Sequence, residues 1–311
     1  MANAKGCYPK IALNGGAILD LPERSAYIYG TLEERSKQSA GTVSGVYCHF
    51  IFLKELGDSC IQIDDASGAI IDFKKPTDIL LFVGGIMEQS IYIDITGLSH
   101  DIWAPLLRES LKTDKNIYGV YMEPSDYAVS QNPAGADIYD LSEKIDGIKP
   151  LPGFVNLGEY EDDEVPFVPL LGFEGARFAY VLEHIQPSPD RIFPVVGVPG
   201  FRLEYPFKTF QGNLSTLLNT KCWRNVRYAA ASCPFEVYEI VSRIAREQEF
   251  VRVAPIGTKP HALGAMLFAS INPSSVEVVY DHPKRKKSRS SGIGKRHVYG
   301  ISCFLRTITA L

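Results

Sequence analysis

Short apolar runs separated by turn-forming residues recur along the whole chain, and several are followed by a segment with helical spacing. The clearest example spans residues 89–121. An apolar run at 89–96 predicts a strand, the apolar positions of 100–111 fall at helical spacing, and 117–121 predicts a second strand. Ser99 is a good N-cap for the intervening helix. We therefore expect a compact strand–helix–strand unit here.

The second half of the chain repeats this alternation. It predicts strands at 165–171, 193–198, 225–229, 250–254, 275–280 and 297–302, and helices after 172, over 213–220, over 234–248 and after 260. Strands rich in Val, Ile and Leu that alternate with helices predict mostly parallel sheets with helices on both faces. We therefore expect an α/β, Rossmann-like fold. The pattern allows two Rossmann-like halves, at 1–157 and 165–311, joined by an acidic linker at 158–164.

A second strand-to-helix junction lies near the start of the chain. Residues 25–30 predict a strand, and Thr31 with Glu34 forms the sequence pattern of a capping box, so a helix should open at Thr31. Two interpretations of Glu33 and Glu34 stay open. They complement the dipole of the first helical turn, or they supply a catalytic carboxylate.

The composition gives no support to binding of nucleic acid, an anionic membrane or a metal ion. The chain has 311 residues, 45% of them hydrophobic and 22% charged, with a formal net charge of -4, so no global positive field favours nucleic acid or an anionic membrane. Six cysteines without a CxxC pattern or zinc-ligand spacing predict reduced thiols and no metal site. The apolar runs are too short to cross a bilayer and the N-terminus has no signal-peptide pattern, so we expect a cytoplasmic protein.

Gly257, Thr258 and Lys259 stand where a Val-rich strand passes into a helix of small residues. A helix N-terminus offers backbone N–H groups and a partial positive charge, to which a lysine adds a full charge. Gly257 would let a ligand approach the backbone. The triplet therefore predicts an anion site, most plainly for phosphate. The alternative is an ordinary capped turn with a solvated lysine.

Further candidates follow from the predicted fold. Parallel α/β sheets bind ligands at the carboxyl ends of their strands, which places several loops on one rim. The potential ligand contacts there are Thr96, Gly97, Ser99, Gly172 and Arg177, together with Gly257, Thr258 and Lys259. This set favours a nucleotide or another phosphate-bearing small molecule, although it identifies no cofactor. Tyr29, Tyr127 and Phe201 lie near strand ends, where a ring either stacks on a base or belongs to the core.

Signs of catalysis are weaker. The chain has no G-x-S-x-G, HExxH or G-x-G-x-x-G motif. Glu33, Glu34 and His282 are the candidates for acid–base roles, since His282 follows a predicted strand. A basic loop at 284–289 could contact phosphates or be simply solvated.

The segment from Gly257 to Gly264 resembles the turn after a Rossmann-type strand in CARF-like sensor domains, the CRISPR-associated Rossmann-fold family that binds cyclic oligoadenylates. Residues 94–99 and 30–36 look like motifs of uncharacterised bacterial Rossmann-like proteins associated with antiviral defence. The resemblance covers under a tenth of the chain. It implies a nucleotide sensor that acts through a protein partner encoded nearby.

Three functions follow from these observations. The first is a nucleotide-binding defence sensor, and the second is an enzyme that hydrolyses or transfers a nucleotide or glycosyl group. The third is a structural subunit of a larger complex. Because two-fold assemblies are the commonest oligomers, we expect a homodimer.

Overall fold

The computed structural model describes residues 8–64, 68–134, 137–139, 141–156, 158, 164–286 and 289–309. The strands, in chain order, are β1 (Lys10–Asn14), β2 (Leu19–Asp20), β3 (Ser25–Tyr29), β4 (Val43–Ser44), β5 (His49–Gly57), β6 (Cys60–Ile63), β7 (Ile70–Asp72), β8 (Ser90–Asp94), β9 (Asn116–Met122), β10 (Asp126–Tyr127), β11 (Val129–Ala134), β12 (Asp137–Tyr139), β13 (Ser142–Ile145), β14 (Phe167–Pro169), β15 (Val195–Gly197), β16 (Arg227–Ala229), β17 (Val251–Ala254), β18 (Val276–Val278), β19 (Pro283–Arg285), β20 (Ser290–Ser291) and β21 (Lys295–Gly300). The helices are α1 (Glu34–Gly41), α2 (Pro76–Gly85), α3 (His100–Ser110), α4 (Gly175–Ile185), α5 (Tyr205–Thr220), α6 (Pro234–Gln248), α7 (Lys259–Ile271) and α8 (Ile301–Thr309).

The chain forms two compact units. The first comprises residues 1–124 and 292–311, and the second comprises residues 125–291. The last segment belongs to the first unit because β21 pairs antiparallel with both β9 and β1. These bounds differ from the division that we expected around an acidic linker at 158–164, of which residues 159–163 lie outside the described residues.

The first unit is built on an eight-stranded sheet in the order β1-β21-β9-β8-β3-β5-β6-β7. Its four central strands, β9, β8, β3 and β5, are parallel, whereas the strands on either side of them pair antiparallel. The expected strand–helix–strand unit is confirmed as β8, α3 and β9. Both faces of the centre are buried, since Tyr27 and Ile28 are each fully covered.

The second unit contains a fully parallel sheet. β14 pairs with β17 and β17 with β18, while β15 pairs with β16. Parallel bridges from Phe167 to Ile192 and from Leu170 to Val195 join the two sets. The resulting order is β16-β15-β14-β17-β18. Numbered from β14, this is 3-2-1-4-5, the order of the first five strands in one class of doubly wound α/β fold.

Helices complete the layers of the second unit. α4 follows β14 and contacts α5, while α6 follows β16 and contacts α7. Phe178 and Val181 of α4 lie in one core cluster with Phe167 of β14. The α/β, mostly parallel fold class predicted from the sequence is therefore confirmed.

Several predicted element bounds were wrong. α1 begins at Glu34 and not at Thr31, because the backbone N–H of Leu32 donates to the Gly97 carbonyl (2.9 Å) and holds the preceding loop outside the helix. α5 begins at Tyr205, well before residue 213. α2, which the sequence did not predict, begins at Pro76, since proline is tolerated in a first helical turn. The strand expected at 297–302 ends at Gly300 and is followed by α8.

Candidate functional site

The switch point of the second unit lies between β14 and β17. These neighbouring parallel strands lead into α4 and α7 respectively. The order of strands reverses at this pair, and in doubly wound α/β folds such a switch point is where ligands bind outside the carboxyl edge of the sheet. The loops begin at Leu171 and Pro255. The loops and the first turns of the helices that follow them carry five of the residues that the sequence proposed: Gly172, Arg177, Gly257, Thr258 and Lys259.

Gly172 and Gly257 bring the two loops together. A Cβ atom on Gly172 would lie 2.9 Å from the carbonyl oxygen of Ile256 and 3.2 Å from the Cα of Gly257. A Cβ atom on Gly257 would lie 2.5 Å from the carbonyl oxygen of Leu171. Both positions therefore require glycine, because backbone atoms occupy the space of any side chain.

The N-terminus of α7 opens at this contact. Thr258 is the N-cap, and its hydroxyl accepts a hydrogen bond from the His261 N–H (3.3 Å) and donates to the Ala231 carbonyl (3.0 Å). Both of these hydrogen bonds of the Thr258 hydroxyl are therefore to groups of the protein itself. Among the described residues, no hydrogen bond engages the backbone N–H of Gly257 or Thr258. Lys259, the first residue of α7, is half-buried.

The Arg177 side chain is buried and binds other groups of the protein. Its guanidinium donates to both carboxylate oxygens of Asp281, from Nε at 2.7 Å and from Nη2 at 2.6 Å. Nη1 donates to the Ile256 carbonyl at 2.9 Å. Burial lowers the pKa of Arg177, but the hydrogen bonds and charge of Asp281 more than offset this and leave the pKa raised. Arg177 therefore positions the peptide before Gly257, and these contacts use three of its five N–H donors.

A second arginine adds positive charge to the unit. The Arg285 side chain lies 3.7 Å from the Glu174 carboxylate. Burial, and then the neighbouring charges of Arg177 and Arg289, lower the pKa of Arg285 to about 10. The group stays charged at neutral pH. Carboxylates offset part of this positive charge, since Asp281 pairs with Arg177 and Glu174 lies beside Arg285.

The acidic and imidazole groups of this unit have internal partners. The Glu174 carboxylate accepts hydrogen bonds from the Leu141 N–H (2.9 Å) and the Ser142 hydroxyl (3.0 Å). The His282 Nε2–H donates to the Lys149 carbonyl at 3.0 Å. His282 has a φ of 42°, in the left-handed region. If His282 acts as an acid or base, it does so with its Nε2–H already donated to the Lys149 carbonyl.

The first unit has a corresponding switch point between β3 and β8. A Cβ atom on Gly97 would lie 2.0 Å from the carbonyl oxygen of Gly30, so this contact also requires glycine. The Thr96 hydroxyl accepts from the Met122 N–H at 2.9 Å. The Ser99 N–H, at the start of α3, donates to the Glu55 carboxylate at 2.7 Å. A carboxylate of the chain itself therefore occupies this helix N-terminus.

Glu33 is buried at the same edge of the first unit. Its carboxylate lies 3.1 Å from Nη1 of Arg35, whose Nε donates to the Met122 carbonyl at 3.0 Å. Each of these two side chains is 7% exposed, so a catalytic Glu33 would act as an ion-paired carboxylate. The side chain of Glu34 lies outside the described residues.

Sequence reasoning missed a second buried pair in the first unit. The His297 ring lies 2.5 Å from the Glu123 carboxylate, Nε2 to Oε1. Its Nδ1 is buried and has no hydrogen-bond partner among the described residues. The two residues are 174 positions apart, and only the pairing of β9 with β21 brings them together. No local signal in the sequence could have indicated this pair.

The structure thus separates the proposed residues into two sets. Glu33, Thr96, Gly97 and Ser99 lie in the first unit, and the remaining set lies in the second: Gly172, Arg177, Gly257, Thr258, Lys259 and His282. In the described part of the chain, no group of His, Cys, Asp and Glu side chains has an arrangement that could hold a metal ion. None of the described helices combines the length and apolar content needed to cross a membrane.

Comparisons with known proteins add little. No family model matches the chain. No curated protein matches it either. Among solved structures, an ABC transporter solute-binding protein from Burkholderia multivorans, crystallised with an unknown ligand, aligns with 84% of this chain and 79% of its own, at 11% identity and a TM-score of 0.23.

Proposed function

We propose that the second unit binds a nucleotide, or another phosphate-bearing small molecule, at the switch point between β14 and β17. The phosphate would accept hydrogen bonds from the backbone N–H groups of Gly257 and Thr258. Lys259 would supply the positive charge. The observation that carries this proposal is the 3-2-1-4-5 strand order with Gly172 and Gly257 in contact at its switch point.

The helix terminus supports the same placement. Backbone N–H groups at the start of α7 carry the partial positive charge of the helix. Arg177 and Asp281 fix the Ile256 carbonyl, so the peptide that follows is already oriented when a ligand arrives. A preorganised cradle loses less entropy on binding than a mobile one.

The first unit is a weaker candidate for the phosphate. The start of α3 resembles that of α7, but the Ser99 N–H is held by the Glu55 carboxylate. A phosphate there would have to displace that carboxylate and would meet its negative charge. Thr96 is likewise engaged, by the backbone of Met122.

The sequence resemblance to CARF-like domains suggests the ligand class and the role. We propose that the protein is a sensor that binds a nucleotide such as a cyclic oligoadenylate without consuming it, as a homodimer that signals to a protein partner in antiviral defence. The second candidate is a nucleotide-processing enzyme, which the buried Glu33–Arg35 pair favours as a source of a carboxylate with fixed geometry.

Calorimetric titration of the purified protein with cyclic oligoadenylates, ADP-ribose, NAD and mononucleotides tests the proposal. Lys259→Ala should raise the dissociation constant about tenfold or more, for the loss of one charged contact, and leave the melting temperature nearly unchanged. Arg243→Ala is the matched control, since it removes an exposed cation from α6 of the same unit.

Mass spectrometry of each mixture separates the candidates. Intact ligand supports the sensor, and consumed ligand supports the enzyme. Equal affinity of the wild-type protein and Lys259→Ala would overturn the placement of the phosphate. Binding of no compound in the panel would favour the structural-subunit hypothesis.

A further inference from the structure

An open aromatic groove lies on the first unit. It has a volume of about 390 Å³ and is lined by seven residues: Tyr29, Thr31, Lys37, Ala40, Gly41, Phe50 and Phe52. Its floor belongs to β3 and β5, and one wall belongs to α1. Its size falls within the range of small-molecule sites.

Strand pairing sets the positions of the aromatic rings. β3 and β5 are parallel with Tyr29 opposite Phe52, and these two rings lie 5.4 Å apart. Phe50 is two residues before Phe52, so both point to the same face of the sheet. Phe50 is 42% exposed, whereas Ile51 and Leu53 on the other face are buried. The rings therefore form a rigid platform that solvent can reach.

Topology explains why this platform is uncovered. In a regular parallel unit, the strand β5 would lead into a helix that packs on the sheet. Here β5 turns into the antiparallel strands β6 and β7 before α2 begins. α1 also ends beside the groove, at Gly41, which has no side chain to fill it.

One lysine lines the groove and a second lies beside it on β5. Lys37 projects from α1, and Lys54 lies on the same strand face as Phe50 and Phe52. Both lysines are exposed. Throughout the described residues, neither has a carboxylate within salt-bridge distance. Their charge is thus available to an anionic ligand.

We propose that this groove binds the bases of a nucleotide or of a short single-stranded oligonucleotide. Bases would stack on Phe50, Phe52 and Tyr29, and the phosphates would lie near Lys37 and Lys54. Aromatic rings beside positive charge are the combination that binds unpaired bases without sequence preference. Successive rings on one strand face stand about 6.8 Å apart, which suits neighbouring unstacked bases.

The size of the groove favours this ligand over a protein partner. A stable protein interface uses roughly 20–30 residues on each side, whereas seven residues line the groove. The site is independent of the phosphate site proposed in the second unit, since no residue of that unit contributes to it.

Fluorescence anisotropy with labelled single-stranded DNA and RNA octamers tests the proposal, with AMP and a trinucleotide as competitors. Phe50→Ala should weaken octamer binding at least fivefold, because one stacked base is lost. Lys37→Ala should reduce the slope of log affinity against log salt by about 0.7, as expected for one phosphate contact on a single strand.

Two controls accompany these variants. Tyr228→Ala removes an aromatic ring that is 58% exposed in the second unit and should leave octamer binding unchanged. Loss of mononucleotide affinity in Lys259→Ala reports on the phosphate site and loss of octamer affinity in Phe50→Ala reports on the groove, so the failures of the two proposals are distinguishable. Melting temperatures confirm that each variant is folded.

The competitors distinguish the sources of the base. If the affinity rises from AMP through the trinucleotide to the octamer, the ligand of the groove is an oligonucleotide. If AMP binds as tightly as the octamer, the ligand is a free nucleotide. Octamer binding that is absent, or unchanged in Phe50→Ala, overturns the proposal. Self-association that Phe50→Ala abolishes, without oligonucleotide binding, would assign the face to a protein interface and also overturn it.

Discussion

Arg177 and Asp281 form a two-point ion pair, with Nε–Oδ2 and Nη2–Oδ1 distances of 2.7 and 2.6 Å, although 104 positions separate them in the chain. Arg177 is 2% exposed and Asp281 is fully buried. The pair joins the first turn of α4 to the segment between β18 and β19. Because the same guanidinium holds the Ile256 carbonyl, the geometry of the switch point depends on this pair.

Arg177→Met should therefore lower the free energy of unfolding by about 3–5 kcal/mol, since it leaves the Asp281 carboxylate buried without its partner. Urea denaturation measures the loss. The double variant Arg177→Met/Asp281→Leu should recover most of the stability, because it buries no charge. A single variant within 1 kcal/mol of wild type would show that the pair does not hold the fold.

The glycine contact at the switch point gives a second prediction. Gly172→Ala should cost about 1–3 kcal/mol of stability, because its new Cβ meets the backbone of Ile256 at 2.9 Å. Gly84→Ala, in α2, is the control: nothing lies within 4 Å of its Cβ position, so stability should stay equal or rise by less than about 1 kcal/mol. Thermal unfolding compares the two. Equal losses in both variants would contradict the close contact.

Asp94 should be a stability residue of the first unit. Its buried carboxylate accepts hydrogen bonds from the Tyr27 hydroxyl (2.6 Å), the Ser39 hydroxyl (2.9 Å) and the Thr96 N–H (2.9 Å). Burial, and then the charge of Asp94, raise the pKa of Tyr27 well above its ordinary value, so the phenol remains a donor.

Asp94→Ala leaves these three donors without an acceptor and should cost about 3 kcal/mol or more. Tyr27→Phe removes one donor and should cost about 1–2 kcal/mol, since Oδ2 still accepts from Ser39. Chemical denaturation of both variants provides the comparison. The reverse order of losses would refute this account of the network.

His261 predicts a pH dependence. Burial lowers the pKa of His261 to about 4 from its usual 6.5, and the ring stays neutral with Nε2–H donating to the Ala230 carbonyl. Between pH 6.5 and 4 the unfolded chain binds a proton that the folded chain does not, so stability falls as the pH is lowered through this window. The total loss is about 3 kcal/mol and is complete below pH 4.

The measurement is the difference in unfolding free energy between wild type and His261→Gln from pH 8 to pH 4. The glutamine keeps a donor and does not titrate. The difference should be constant above pH 6.5 and shift in favour of the variant below it. Parallel profiles across the whole range would contradict the lowered pKa.

Local patterns predicted a substantial part of this molecule. The unit of β8, α3 and β9 follows from apolar spacing and the Ser99 position, and the glycines at both switch points stand at strand ends in the sequence. Each of these signals lies within a few residues of the element it predicts. The parallel fold class followed because alternation of strand and helix constrains the topology.

The remaining features depend on long-range contacts. Nothing near Ser99 indicates that Glu55 holds its N–H, and nothing near Arg177 indicates Asp281. Arg177 was predicted as a ligand contact from its position after a strand, which gave no sign of its burial or of its partner Asp281. The aromatic groove depends on the pairing of β3 with β5, which spacing along one strand does not reveal.

The return of β21 to the first unit sets the order in which the protein can fold during synthesis. The two ends of the second unit lie side by side, since the Ser125 N–H donates to the Ser291 carbonyl at 3.0 Å. A ribosome therefore releases the whole second unit before β21 emerges. Until then one edge of β9 has no partner strand, and an unpaired apolar edge favours aggregation. A nascent chain that stalls before residue 295 would thus expose this edge, while its second unit already contains all its strands.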